Sequence, residues 1–312
     1  MTSDYATLTA ALTVREALAK LRREAPDKET IYRTYVIDAD RTLIGSVRLQ
    51  TLILASPKQL VGDVMERETR AVSVDDDQEE VAQSIAKYDI IALPVVDAEG
   101  RLVGIVTHDD AMDVLQAEAT EDFQKVGSVG SMADSISSAS IGLLYKNRIY
   151  WLVLLVFGNL LSGAGLAFYE DTIAAYVVLV FFLPVLIGSG GNAGSQSSTL
   201  MVRALATGDV EMKDWGRMLL RELSVATLLG LTMAIAISAI AGFRGGWEVA
   251  AVVAGSMLLI VTMGSLIGMS MPFLLNRFGF DPATASAPLI ASIADILGVV
   301  VYFSIATAFL IG

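Results

Sequence analysis

The chain has 312 residues, of which 54% are hydrophobic, and it carries a formal net charge of −12. Its mean hydropathy of +0.59 is too high for a chain that is soluble throughout. The sequence has no basic patch of the kind that binds nucleic acid, so no nucleic-acid partner is expected. The absence of cysteine fits a reducing compartment.

Two similar units occupy the first third of the chain, at residues 10–57 and 70–116, and no signal peptide is predicted ahead of them. In each unit a helical pattern is followed by a strand, a turn and a second strand. The turn regions align closely, as VIDADRTLIG and VVDAEGRLVG. This alternation predicts a pair of small α/β units. The two units resemble tandem cystathionine-β-synthase (CBS) domains, regulatory modules that often bind adenine nucleotides.

The CBS resemblance implies a ribose contact in only one of the two copies. In such modules a Gly, two apolar residues, a Ser or Thr, and an acidic residue three positions further on can hold a ribose. The second copy keeps this pattern in Gly104, Thr107 and Asp110, so Thr107 is a candidate nucleotide contact. The first copy has Arg48 and Thr51 at the hydroxyl and carboxylate positions. This difference makes ATP a doubtful ligand.

The acidity of the chain is concentrated in one module. Residues 61–123 hold 17 Asp and Glu against 4 Lys and Arg, a net charge of −13. Segment 74–80 has the pattern of a helix start, where carboxylates are favourable. Segment 108–122 is different. On a helix, Asp110 and Asp113 would lie on one face, and so would Glu118 and Asp122. Like charges so placed repel unless a cation joins them, and hard divalent cations prefer oxygen ligands.

The second half of the chain is predicted to cross a membrane five times. Residues 123–147 form a connecting segment with apolar residues at helical spacing, interpreted as a helix at the inner membrane face. The five predicted spans lie at 149–169, 172–202, 223–243, 249–276 and 281–312. Seven basic residues flank these spans on one side and only Arg244 on the other. The N-terminus is therefore expected in the cytoplasm and the C-terminus outside.

Two features of these spans indicate an ion path. The second span contains GSGGNAGSQSS at 188–198, which is interpreted as a break in the helix that exposes backbone carbonyls. Gly190 and Gly194 alone also fit close helix packing. The last span contains Asp295, which would lie about 21 Å along a helix that starts at Asp281. A carboxylate at that depth is costly unless it serves an ion or a partner.

Three segments resemble the MgtE family of magnesium channels: two long ones, at residues 184–210 and 271–303, and the short QAEATED at 116–122. The resemblance implies a homodimer in the lipid bilayer of the bacterial inner (plasma) membrane. Mg²⁺ would be both the transported ion and the regulatory ligand, bound in the cytosol to close the pore. The predicted fold is an α/β tandem CBS module at 1–122, a connecting helix at 123–147 and an all-α domain of five membrane helices per subunit at 148–312.

The resemblance also assigns site residues. It places the transported ion at Asp295, beside a path lined by Gly188, Gly191 and Ala291, with Asn192 and Ser195 on the same stretch of the second span. It assigns cytosolic Mg²⁺ sensing to a set of carboxylates, with Asp281 facing the connecting helix. That set is Asp77, Glu79, Asp89, Asp110, Asp113, Glu118, Glu121 and Asp122.

Two departures and two alternatives accompany this interpretation. Members of the family usually begin with an acidic helical domain, whereas only about ten residues precede the first CBS copy here, so closing by Mg²⁺ is expected to be weaker or differently tuned. Ser195 and Ala287 replace Asn found in some relatives. The alternatives are an ion-coupled exchanger of Mg²⁺ or other divalent cations and a CBS-based sensor without transport. No set of residues points to an enzyme.

Overall fold

Two units make up the chain in the computed structural model, Met1–Ala119 and Thr120–Gly312. The structure describes residues 1–130 and 139–311. The first unit confirms the predicted α/β repeat, and the second is helical. Part of the predicted connecting helix, including Ile136, falls outside the described residues.

The first repeat is a three-stranded sheet with three helices. Strand β1 (Tyr5–Leu8) pairs in parallel with β2 (Thr30–Ile37), and β2 pairs antiparallel with β3 (Leu43–Arg48). Helix α1 (Val14–Glu24) starts with a capping box in which Thr13 and Glu16 satisfy each other's backbone amides. Two short helices follow, α2 (Leu49–Leu54) and α3 (Val61–Val64).

The second repeat has the same topology. Strands β4 (Val72–Ser73), β5 (Ala92–Val96) and β6 (Leu102–Thr107) form a sheet in that order, with β4 parallel and β6 antiparallel to β5. Helix α4 (Gln78–Lys87) lies between β4 and β5, and α5 (His108–Val126) follows β6.

Matching turns and a shared core join the two repeats into one unit. Asp38 and Asp97 occupy equivalent turns, and each accepts a 2.8 Å hydrogen bond from the backbone amide four residues later. Tyr35 is fully buried, and its hydroxyl donates to the carbonyl of Ala92 at 3.0 Å. Tyr5 makes the corresponding bond to the carbonyl of Leu102 at 3.0 Å. The two sheets therefore share core contacts.

In the described part of the chain, four helices are long and apolar enough to cross a membrane. They are α6 (Ile141–Phe168), α8 (Val178–Ala206), α9 (Trp215–Arg277) and α10 (Ala287–Leu310). A short helix, α7 (Glu170–Ala175), precedes α8. Residues 141–147, which were predicted to end the connecting segment, belong to α6, whereas 123–126 belong to α5.

Helix α9 is the third of these four and contains two of the five predicted spans. Its 63 residues would extend about 95 Å if straight, roughly three times the apolar thickness of a bilayer. Gly246 interrupts it with a φ of 80° and a ψ of 176°. An added Cβ at Gly230 would lie 2.9 Å from the carbonyl oxygen of Leu258, and Ser265 donates to Glu222. These contacts show that α9 folds back on itself at Gly246.

The predicted break in the second span is wrong, because α8 is helical throughout residues 188–198. The glycines there allow close packing. An added Cβ at Gly194 would lie 2.7 Å from the carbonyl oxygen of Gly264, and one at Gly268 would overlap the carbonyl oxygen of Gly194. The polar side chains are satisfied locally, as where Ser189 donates to the carbonyl of Val185 at 2.6 Å. Helix packing therefore accounts for the buried glycines of this stretch.

The last helix starts later than predicted. Asp281 lies outside α10 and caps a 3₁₀ turn at Pro282–Thr284, accepting from the amide of Ala283 at 2.8 Å. Helix α10 begins at Ala287, with a proline in its first turn, where a missing N–H is tolerated. Asp295 is therefore eight residues into its helix, or about 12 Å from its start.

Candidate ion path and cytosolic carboxylates

Asp295 lies on α10 where that helix packs against α8. Gly191 on α8 is buried, and an added Cβ there would lie 3.4 Å from the Cα of Ala291 and 3.7 Å from Oδ1 of Asp295. The structure therefore brings together three of the residues predicted to form the ion path. Within residues 1–130 and 139–311 no hydrogen bond or ion pair is found for the Asp295 carboxylate, which is neither fully buried nor fully exposed.

A polar stripe on α8 continues from this point. Gly188, Asn192 and Gln196 follow one another at four-residue spacing and are all exposed, whereas Gly190 and Gly194 on the opposite side are buried. Nothing lies within 4 Å of a Cβ added at Gly188. The stripe therefore faces away from the other helices of this chain.

Serines of α8 hold the segment that leads into α10. Ser195, predicted to line the path, donates to the carbonyl of Ala287 at 3.2 Å, and Ser198 donates to the carbonyl of Ala285 at 2.8 Å. Ser195 thus has a structural contact that the sequence did not predict. These two bonds fix the start of α10 against α8, and with it the position of Asp295.

The predicted sensing carboxylates from Asp77 to Asp122 lie at three places, and the last two of them, Glu121 and Asp122, belong to the second unit. Asp77 caps α4, accepting from the amide of Glu79 at 2.8 Å. Asp89 has a φ of 51° and lines a cleft of about 470 Å³. Helix α5 carries the others, which are Asp110, Asp113, Glu118, Glu121 and Asp122.

These carboxylates do not converge on one point. In the described residues no group of three or more Asp, Glu, His or Cys side chains is arranged to hold a metal ion. One contact links two of the acidic helices: Gln78 on α4 donates to Glu118 on α5 at 2.7 Å.

Lys125 is a residue of this region that the sequence analysis missed. Its Nζ lies 2.6 Å from Oε1 of Glu121 and 2.5 Å from Oδ2 of Asp281. Partial burial lowers the pKa of Lys125, but its hydrogen bonds to Asp281 and Glu121 outweigh that effect and raise the pKa overall. The four-residue spacing from Glu121 was visible in the sequence, whereas Asp281 is 156 residues away.

The candidate nucleotide residue Thr107 is buried at the end of β6. A hydrogen bond from its side chain lowers the pKa of the Asp109 carboxyl. Asp110, the acidic residue of the same motif, lies 3.3 Å from the amino group of Met1. The hydroxyl and the carboxylate of the motif therefore have partners within the chain.

The cleft that contains Asp89 is lined by residues of both repeats and is rich in arginine. Arg33 and Arg48 each lie 3.3 Å from a carboxylate oxygen of Glu66. The guanidinium carbon of Arg70 lies 3.6 Å from the ring centre of Tyr88, and Arg70 lowers the pKa of that tyrosine through a hydrogen bond. The positive charges of the cleft are thus already engaged by protein groups.

Comparison with known proteins matches both halves of the chain to one family. A family model described as MgtE, divalent cation transporter, matches residues 183–305, and a CBS domain model matches residues 1–58 and 61–117. The magnesium transporter MgtE of Thermus thermophilus is 45% identical over 306 residues, which cover 98% of this chain and 68% of that protein. This chain belongs to the MgtE family.

A second magnesium transporter and one solved structure also match this chain. The magnesium transporter MgtE of Bacillus subtilis is 37% identical over 313 residues, covering 99% of this chain and 68% of that protein. A crystal structure of the cytosolic domain of the Mg²⁺ channel MgtE in complex with ATP is 51% identical over 36% of this chain, with a TM-score of 0.36. This chain covers 46% of the length of that one.

Proposed function

We propose that this MgtE family member is a Mg²⁺ channel of the bacterial inner membrane, closed by cytosolic Mg²⁺. One observation carries the proposal. Asp295, within an apolar helix, has no partner in the described part of its own chain and lies beside the polar stripe of α8. An ionisable group in that setting is expensive unless it serves an ion. Mg²⁺ keeps several waters and needs few direct protein ligands, so one carboxylate per chain suits it.

The channel is proposed to have five membrane spans in each subunit. The two halves of α9 count as separate spans, because the helix folds back at Gly246. The basic residues then favour a cytoplasmic N-terminus and an external C-terminus, with Arg244 beside the turn at the outer face. The cytoplasmic set is Lys146, Arg148, Arg203, Lys213, Arg217, Arg221 and Arg277.

The working unit is proposed to be a homodimer. Five spans with one intramembrane carboxylate are too few to enclose a pore. A two-fold symmetric dimer would have ten spans and two such carboxylates. The polar stripe of α8, which faces away from its own chain, supports this arrangement. Two copies of Asp295 could then share one hydrated ion.

Two rival activities predict different fluxes. The purified protein would be reconstituted in vesicles that contain a Mg²⁺ indicator, with no gradient of any other ion. A channel then gives uptake that follows the Mg²⁺ gradient and the membrane potential. An exchanger gives uptake only when its counter-ion is present inside the vesicles and leaves as Mg²⁺ enters. A sensor without transport gives none under either condition, and that result would overturn the proposal.

Closing of the pore by cytosolic Mg²⁺ is proposed to depend on the carboxylates of α5. Neutralising Asp110, Asp113, Glu118 and Asp122 should leave transport intact but raise the Mg²⁺ concentration needed to protect residues 123–147 from protease by about tenfold or more. The physical reason is that these carboxylates would supply oxygen ligands to the divalent ion, so removing them weakens its binding. Limited proteolysis across a Mg²⁺ series measures the shift.

The matched control removes the same amount of charge from the first unit, away from α5. This variant neutralises four exposed carboxylates, Asp4, Asp27, Glu29 and Asp40. This variant should keep the Mg²⁺ dependence of the parent chain. If both quadruple variants shift the protection midpoint equally, then general surface charge is responsible and the α5 sensor is wrong.

ATP is proposed to be a weak ligand. Thr51 stands where relatives that bind ATP have an aspartate, and the arginines of the cleft are engaged by Glu66 and Tyr88. Thr51→Asp should tighten ATP binding about tenfold, because a hydrogen bond to a charged group contributes about 1.5 to 3 kcal/mol. Titration calorimetry measures this affinity, with Thr51→Asn as the uncharged control. Equal affinities for the parent chain and Thr51→Asp would contradict the prediction.

A further inference from the structure

Lys125 connects two elements of the helical unit that are distant in the sequence. Its ammonium group bridges Glu121, one turn earlier on α5, and Asp281, in the segment before α10. Both carboxylate oxygens lie within 2.6 Å of the same nitrogen, so they are at most about 5 Å apart. Without a cation between them, two charges at that distance repel.

Other contacts place this bridge in a packed junction. Ser128, just beyond α5, is 7% exposed, and its hydroxyl lies 2.6 Å from that of Ser286, which is fully buried. Val126 packs against a small cluster that contains Ala283 and Ala285. The end of α5 is therefore docked on the segment that leads into α10.

The docked segment is directly connected to the proposed ion path. The capped 3₁₀ turn that starts at Asp281 runs into α10, and Ser195 and Ser198 hold the intervening carbonyls. Asp295 follows eight residues after the first residue of that helix. A change in docking at Asp281 would thus be passed to the helix that carries Asp295.

We propose that Lys125 acts as a built-in cation that keeps the end of α5 docked when no divalent ion is present. A divalent ion at Glu121 and Asp281 must then displace the Lys125 ammonium group. Lys125 thereby raises the Mg²⁺ concentration at which the ion takes over the junction. The effect of Lys125 on closing of the pore rests on the proposed function, whereas its role in docking α5 does not.

A disulfide across the junction tests this inference. The chain has no cysteine, so Ser128→Cys with Ser286→Cys reports docking without background. In membranes oxidised with diamide, the pair should cross-link at a similar rate with and without Mg²⁺ when Lys125 is present. Adding Lys125→Met should lower the rate about fivefold in Mg²⁺-free buffer, as expected for loss of a partly exposed ion pair. Millimolar Mg²⁺ should restore it.

Two further variants complete the test. Lys125→Arg should behave as the parent, because a guanidinium group can also bridge two carboxylates. Lys213→Met should leave cross-linking unchanged, since Lys213 is exposed and pairs with Glu211 at 2.6 Å. An unchanged rate for Lys125→Met without Mg²⁺, or a rate that stays low at every Mg²⁺ concentration, overturns the proposal. A chain that moved no Mg²⁺ would still give the cross-link, so this failure is distinct from failure of the channel.

Discussion

Replacing Asp295 by asparagine should reduce Mg²⁺ uptake into vesicles about 10- to 100-fold. The amide keeps the size and shape of the carboxylate but removes its charge, and contacts of a charged group contribute about 1.5 to 3 kcal/mol. Within the described residues this carboxylate has no partner, so its loss breaks no contact of the fold. The reduction should therefore appear in flux while the amount of folded protein is unchanged.

Glu248→Gln is the matched control for this experiment. It removes the same charge from an exposed position of the helical unit, two residues after the turn at Gly246. Its Mg²⁺ uptake should equal that of the parent chain. Mg²⁺-selective uptake at the parental rate in Asp295→Asn would show that the ion does not pass Asp295, and the proposed path would have to be abandoned.

The α/β repeat could be predicted because its signals are local. Asp38 and Asp97 each form a turn whose hydrogen bonds close within four residues. The position of Gly100, with a φ of 77°, is taken in the first copy by Arg41, with a φ of 67°. The two turns thus share a backbone conformation despite the change of residue, and the flanking pattern was enough to align them.

The structure of α8 could not be predicted from the same kind of local reasoning. A glycine-rich segment weakens an isolated helix, and this effect suggested a break at 188–198. The partners that stabilise the helix are Gly264 and Gly268, about 70 residues further along the chain. Only the folded arrangement shows that glycines from the two helices oppose each other.

The start of α10 and the role of Lys125 depend on distant contacts as well. A continuous apolar run suggested a helix from Asp281. The helix instead begins at Ala287, after the 3₁₀ turn that contains Pro282. Two serines of α8 bind the carbonyls of Ala285 and Ala287 at this start. Lys125 has a local signal in Glu121, but its second partner is Asp281. No spacing rule connects two residues that are 156 positions apart in the sequence.

Gly268→Ala should strongly destabilise the helical unit. The new Cβ would overlap the carbonyl oxygen and the backbone of Gly194, and backbone atoms of a helix cannot move aside as a side chain does. Overpacking of this kind costs about 1 to 3 kcal/mol when side chains can adjust. Helices in a bilayer depend on close packing, because no hydrophobic force holds them together. A fluorescence melting curve of the detergent-solubilised protein should shift down by several degrees.

Gly255→Ala makes the same change on the same helix where nothing lies within 4 Å of the new Cβ. Alanine is favoured over glycine inside a helix by roughly 0.5 to 1 kcal/mol, so this variant should melt at the parental temperature or slightly above it. Equal melting temperatures for the two variants would mean that α8 and α9 can separate without loss of stability. We explain the helical conformation of the glycine-rich residues 188–198 by the packing of α8 against α9. Equal melting temperatures would therefore contradict that explanation as well.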